Sequence, residues 1–371
     1  MQFIDIKAIH ARSSAKIDTA IASVIEHGRF INGPEVSQLE ATLAEYLGGS
    51  THCIAVASGT MALEIALRGL GIGPGDEVIT TPFTWISSAE TIALVGATPV
   101  FVDIDRETYN IDPEKVEVAI TSRTKAMIPV NLFGQMADYG RIEEIAKNHG
   151  LKIIEDAAQS FGAEQNGRKS CTVGDVSCTS FFPAKPFGCY GDGGAVFTQD
   201  ADLAEDLRAI TNHGGKIREH HYLLGTNGRC DSLQAAIMLA KFPAFQKDEI
   251  QLRQAVGERY TKALEDACVT PSILPGNTHI YAQYTIRSQD RDGLGDALKK
   301  EGIPSAVYYR KCLHEQPVFA HYKSCQQAFP HAEQATQEVI SLPFHPYLTA
   351  EDQDTVINAV LDYAGDKLRD G

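Results

Sequence analysis

Lys185 lies in Ser180-Phe181-Phe182-Pro183-Ala184-Lys185-Pro186-Phe187-Gly188, an apolar stretch in which prolines bracket the lysine and no carboxylate stands beside it. A lysine amine taken out of water loses affinity for its proton, and the exposed lone pair then forms a Schiff base with an aldehyde. That is the state required of a lysine that holds pyridoxal phosphate. The alternative is an ordinary loop lysine whose stem covers apolar surface while its head reaches water. Lys185 by itself does not separate the two.

A pyridoxal ring needs three further things from a protein: an acid for its nitrogen, an anion hole for its phosphate, and a stacking partner. Lys152-Ile153-Ile154-Glu155-Asp156-Ala157-Ala158-Gln159 runs from a buried strand into small residues. This predicts Asp156 at the strand's carboxyl end, where open α/β sheets take their ligands. A carboxylate there keeps the pyridine nitrogen charged, and Gln159 is the candidate for the ring's phenolic oxygen; a helix N-cap is the other role open to Asp156. Ala57-Ser58-Gly59-Thr60 follows a β-rich run and opens a helical pattern at Met61, so free amides, two hydroxyls and a helix dipole converge on one point. Ser58, Gly59 and Thr60 are therefore the anion-site candidates, with a plain Ser/Thr cap as the alternative. Trp85, the only tryptophan, follows another strand candidate and is the stacking candidate. Burial in a core or interface is the other explanation of a lone tryptophan. The glycines of Gly188-Cys189-Tyr190-Gly191-Asp192-Gly193-Gly194 let backbone crowd a ligand.

Other chemistries lack their residues. No glycine-rich dinucleotide fingerprint or P-loop occurs, no H-E-x-x-H pattern is present, and eight cysteines are scattered without a C-x-x-C pair. No metal is expected, and the thiols are expected to be free. With 33 Lys plus Arg against 48 Asp plus Glu, the formal charge of −15 disfavours a nucleic-acid or anionic-membrane partner. The N-terminus carries no basic region followed by an apolar stretch, and no run reaches membrane-span length, so a soluble, cytoplasmic protein is expected.

The elements that must position these residues alternate between β-rich and helical patterns, the mark of an α/β layer structure. Strands are predicted at 52–57, 77–80, 98–102, 126–130, 152–154, 176–182 and 194–198. Helices are predicted at 61–70, 113–119 and 141–149. Continuous apolar runs suit strands covered on both faces, hence a mostly parallel sheet. A long helical stretch, 232–264, interrupted at Pro243, leads to a smaller unit with strands at 280–287 and 303–309 around a helix at 294–301. The division expected is a large domain, 1–245, and a smaller C-terminal α/β domain, 246–371.

In this order, Ser58-Gly59-Thr60, Trp85, Asp156-Ala157-Ala158-Gln159, Ser180 to Lys185 and Gly191-Asp192-Gly193-Gly194 resemble the DegT/DnrJ/EryC1/StrS family of nucleotide-sugar aminotransferases. Gly28 to Val36 and Gly73 to Ile79 extend the likeness over nearly the whole chain. The resemblance implies a fold-type-I pyridoxal-phosphate enzyme acting as a homodimer with shared active sites. Lys185 would then carry the cofactor and shuttle the proton, and Asp156 would partner the ring nitrogen. Gln159 would contact the ring hydroxyl, Ser58, Gly59, Thr60 and Ser180 would hold the phosphate, and Trp85 would cover the ring. Gly225 to Arg229 matches the segment whose asparagine, here Asn227, reaches the neighbouring subunit's phosphate. L-glutamate would donate the amino group to a nucleotide-linked keto sugar. Val130 to Gln135 and Glu155 to Ala163 look most like the subgroup that aminates UDP-2-acetamido-2-deoxy-3-oxo-D-glucuronate for bacterial surface polysaccharide (O-antigen). dTDP-linked keto-deoxyhexoses, or a non-catalytic pyridoxal-binding regulator, are the rivals. Arg229, Tyr308, Tyr309 and Arg310 are the substrate candidates, Arg229 for a sugar carboxylate or alternatively an interface salt bridge. Many relatives carry His-Tyr-Pro where this chain has Tyr308-Tyr309-Arg310.

Overall fold

A computed structural model describes residues 1–217 and 219–370. Seven strands form the central sheet: β1 (His52–Val56), β2 (Glu77–Thr80), β3 (Thr98–Phe101), β4 (Thr124–Ile128), β5 (Lys152–Asp156), β6 (Val176–Ser180) and β7 (Gly194–Thr198). Their order across the sheet is β1-β7-β6-β5-β4-β2-β3. β7 runs antiparallel to both neighbours, and every other pair is parallel. Flanked by two antiparallel pairings, β1 points the same way as β6. The carboxyl ends of β1, β2, β4, β5 and β6 therefore open on one edge of the sheet, and β7 starts there.

Helices α1 (Ile6–Ala11), α2 (Ser14–His27) and α3 (Pro34–Tyr46) precede the sheet. α4 (Gly59–Gly69), α5 (Ser87–Leu94), α6 (Pro113–Ala119), α7 (Tyr139–His149) and α8 (Ala201–Thr211) alternate with its strands. α9 (Ser232–Ala244) and α10 (Ile250–Leu264) lead away from it. Strand periodicity splits the burial between two faces. On β1, Ile54 and Val56 pack with Leu63, Leu67 and Leu207 of α4 and α8, while Cys53 and Ala55 pack with Leu39, Phe242 and Phe197 on the other side. Helices on both faces are why the strands read as continuous apolar runs. Between α9 and α10 the chain makes a π-helical turn, Phe245–Glu249, just after Pro243. Proline has no N–H for the helical ladder, and the widened turn continues the rod without a break.

The C-terminal segment has its own core of Val256, Tyr260, Tyr284, Ile286, Leu298, Ile340, Leu342 and Val356. Here the structure differs from the sequence expectation. The helix α11 (Arg291–Lys300) forms, but 303–309 is no strand: β8 (Tyr284–Arg287) pairs antiparallel with β9 (Val339–Leu342), and only Ala306 bridges to Ser341. The partner strand comes from after α12 (Pro330–Glu338), and α13 (Ala350–Asp370) closes the chain. Freed from pairing, Val307, Tyr308 and Tyr309 pack toward Phe83, Phe133 and Leu313 of the large sheet's edge. Among the described residues, no helix is long and apolar enough to cross a membrane.

Candidate active site

The strand ends that open on one edge surround a cavity of about 420 Å³, inside the range of roughly 300–1,000 Å³ usual for small-molecule sites. Ser58, Gly59, Thr60, Trp85, Asp156, Gln159, Ser180, Lys185, Tyr308 and Tyr309 all line it.

Lys185 is delivered by a closed loop. Phe181 N donates to Gly193 O and Cys189 N to Phe181 O, both at 2.8 Å, while Lys185 N donates to Phe182 O at 2.8 Å. Phe181 and Phe187 are buried among Phe161, Phe242 and Phe245, so the aromatics anchor the loop and the lysine between them turns to the cavity. Among the described residues its amine has no hydrogen bond or ion pair. Burial lowers its pKa from 10.5 to about 8, against the opposing pull of Asp156.

Asp156 closes β5, and its buried carboxylate accepts from Ser88 Oγ at 2.8 Å and from Ala158 N at 3.2 Å. It caps no helix. Burial pushes its pKa up, while the Ser88 hydroxyl, the Ala158 amide and the Lys185 charge pull it back. Such a group is an anion in need of a cation in front of it. Gln159 is fixed by its Oε1, which accepts from Phe133 N at 2.8 Å, leaving its Nε2 toward Tyr309 Oη at 3.4 Å.

At the other end, Ser58 Oγ accepts from Met61 N at 3.1 Å and so starts α4. The amides of Gly59 and Thr60 have no backbone partner and face the cavity with the positive end of the helix. This turn fits only because two side chains are missing. A Cβ on Gly59 would lie 2.6 Å from Ser180 Cβ, and one on Gly194 would lie 2.6 Å from the Ser58 carbonyl carbon. Thr60 Oγ1 is held by Ser87 Oγ at 2.7 Å. Trp85 is 59% exposed, which rules out a core role, and its ring centroid lies 6.4 Å from that of Tyr309.

Three candidates lie elsewhere in this chain. Arg229 donates to Asn227 Oδ1 at 3.1 and 2.7 Å and to Asn212 Oδ1 at 2.9 Å, and it lines a separate cleft of about 780 Å³ with Arg29, Arg208 and Lys216. Arg310 is exposed and sits 3.4 Å from Asp292 in another cleft. The structure also adds residues: Ser88 behind Asp156, and Ile4 and Gln283 on the cavity wall. Ser88 stands only three residues after Trp85, but nothing local ties it to a carboxylate 68 residues later. Gln283 Oε1 is buried without a partner.

The family profile described as the DegT/DnrJ/EryC1/StrS aminotransferase family matches residues 12–361. The chain is 50% identical over 349 residues to the UDP-2-acetamido-2-deoxy-3-oxo-D-glucuronate aminotransferase of Pseudomonas aeruginosa, covering 94% of this chain and 96% of that protein. A crystal structure of a DegT DnrJ EryC1 StrS aminotransferase from Brucella abortus superposes with a TM-score of 0.96 at 45% identity, over 98% of this chain and all (100%) of that one. NtdA from Bacillus subtilis, solved with bound cofactor PMP, superposes with a TM-score of 0.92 at 30% identity, over 98% and 85% of the two chains.

Proposed function

The chain belongs to the DegT/DnrJ/EryC1/StrS aminotransferase family and is a nucleotide-sugar aminotransferase; within that family, we propose that it moves an amino group from L-glutamate to a UDP-linked 3-keto sugar uronate, UDP-2-acetamido-2-deoxy-3-oxo-D-glucuronate, for a bacterial surface polysaccharide. The observation that carries the chemistry is a desolvated, unpaired amine at Lys185 facing the same cavity as the buried carboxylate of Asp156. The substrate assignment is supported by the likeness to the Pseudomonas enzyme.

The cavity suits pyridoxal phosphate. Asp156 would meet the ring nitrogen, and the free amides of Gly59 and Thr60 with the hydroxyls of Ser58 and Ser180 would hold the phosphate. Gln159 would meet the ring hydroxyl, and Trp85 would lie on the ring face. When bound, the cofactor supplies an electrophilic aldehyde and a conjugated ring that accepts the electron pair left by a departing proton. Lys185 Nζ, with its pKa near 8, takes the proton from the α-carbon of the amino donor and later returns one to the sugar carbon. The Asp156 carboxylate keeps the ring nitrogen positive throughout, because a buried anion at that point favours the protonated ring. Tyr308, Tyr309 and Trp85 form an aromatic wall that keeps water from the reacting carbon.

The chain acts as a homodimer in this proposal, with residues 246–371 as its smaller domain. Asn227 and Arg229 of one copy serve the cavity of the other, which accounts for their distance from Lys185 within one chain. The test is direct. Purified protein loaded with pyridoxal phosphate is expected to be yellow and to lose that colour on addition of L-glutamate alone. A panel of UDP- and dTDP-linked keto sugars then regenerates it only with the accepted sugar. Lys185→Ala is expected to abolish turnover, and normal turnover in that variant would refute the assignment. A dTDP-sugar accepted in preference to the uronate would refute the substrate.

A further inference from the structure

We propose that Lys241, outside the cavity, is the positioning residue that sets where Lys185 stands. It lies on α9 with only 8% of its surface exposed. Its ammonium donates to the carbonyl of Gly188, three residues after Lys185, and sits 5.1 Å from the centroid of the Tyr190 ring. Two helical turns earlier on the same face of α9, Gln234 Oε1 accepts from Tyr190 N at 2.9 Å. One helix face thus clamps the segment leaving the Lys185 loop at two points.

The loop transmits that clamp because its two arms touch. A Cβ at Gly188 would lie 2.6 Å from Phe182 O and 2.8 Å from Pro183 O, so the returning backbone rests directly on the outgoing one. Lys185, between them, cannot keep its place if Gly188 moves. The prolines on either side of it restrict the backbone further, leaving displacement of the whole arm as the available motion.

Stability does not account for a lysine here. Among the described residues Lys241 forms no ion pair, and the neighbouring buried carboxylate, Glu249, is engaged by Tyr347 Oη at 2.9 Å. An unpaired buried ammonium is unfavourable, and an apolar side chain of equal length would pack at this site without that penalty. What the charge supplies is a short, directional bond to one carbonyl, which an apolar side chain lacks.

This inference rests on the assignment of Lys185 as the cofactor lysine, and Lys185→Ala tests that assignment separately. For Lys241, the loaded enzyme is compared with Lys241→Met and Lys241→Gln. The second keeps a donor but is one atom shorter. In Lys241→Met, kcat is expected to fall about 10- to 100-fold, the scale of a misplacement of about an ångström. KM for glutamate stays within about threefold, since the sugar and amino-acid walls are untouched. The rate at which apoprotein captures pyridoxal phosphate falls in parallel, while the melting temperature stays level or rises. Lys241→Gln lies between the two. The inference is overturned if kcat and capture rate in Lys241→Met stay within about twofold of the parent. It is also overturned if both variants lose activity only in step with a lower melting temperature. Loss of turnover in Lys185→Ala with no change in Lys241→Met sinks this inference alone; retained turnover in Lys185→Ala sinks the assignment beneath it.

Discussion

The desolvation of Lys185 makes a quantitative prediction about pH. With a pKa of about 8, roughly one in eleven apoprotein molecules carries the free amine at pH 7, against about one in three thousand for a lysine at its ordinary 10.5. Capture of pyridoxal phosphate by apoprotein, followed by stopped-flow absorbance, should therefore rise about tenfold from pH 7 to 9 and flatten beyond. An exposed lysine would gain about a hundredfold over the same span and keep climbing. Stability carries the same signature. Between pH 8 and 10.5 the unfolded chain holds a proton at Lys185 that the folded chain has released, so folding stability rises with pH across that window and the burial penalty is fully present below it. That penalty is about 3 kcal/mol. Apoprotein with Lys185→Met should accordingly be more stable than the parent by up to about 3 kcal/mol below pH 8, with the gap closing by pH 10.5 in urea titrations. A capture rate that climbs tenfold per pH unit through pH 10, or no stability gap at pH 7, would refute the argument that the amine is desolvated.

Asp156→Asn removes the charge that opposes the ring nitrogen and should cost about 10²- to 10³-fold in the rate of the glutamate half-reaction, read as loss of yellow colour in a single turnover. The same substitution takes away the group that supports the Lys185 ammonium, so the midpoint of the capture profile should move below 8; an upward move contradicts the geometry. Gly59→Ala places a methyl 2.6 Å from Ser180 Cβ and should weaken pyridoxal phosphate binding about tenfold or more by equilibrium titration, as the turn is forced off its amides. Gly257→Ala, whose Cβ would lie 2.3 Å from the Tyr281 ring, should lower stability by about 1–3 kcal/mol in chemical denaturation while leaving the cofactor's affinity unchanged, because it disturbs only the C-terminal core.

Much of this molecule is written in short stretches. The predicted strands at 52–57, 77–80, 98–102, 126–130, 152–154, 176–182 and 194–198 overlap the seven strands of the sheet, since burial on both faces leaves an unbroken apolar run that local composition exposes. The parallel direction of most strands follows from the same signal, and with it the edge on which Ser58, Trp85, Asp156 and Lys185 open. These residues were legible because each stands directly at the end of its own strand.

What only the tertiary structure decided is pairing across long distance. Residues 303–309 have strand composition, yet 339–342 takes the place beside β8, because competition for a strand edge is settled by packing and not by propensity. Arg310, next to the cavity in sequence, turns away to Asp292, whereas Tyr308 and Tyr309 turn inward to aromatic neighbours. The hydrogen bond from Ser88 to Asp156 joins two elements 68 residues apart, and that from Lys241 to Gly188 joins two 53 apart. Neither carries a local pattern, because a hydrogen bond depends on where two backbones cross in space. The residue types for the chemistry are therefore set by short-range sequence, and the positions and proton affinities of those residues by the burial and contacts that folding imposes on them.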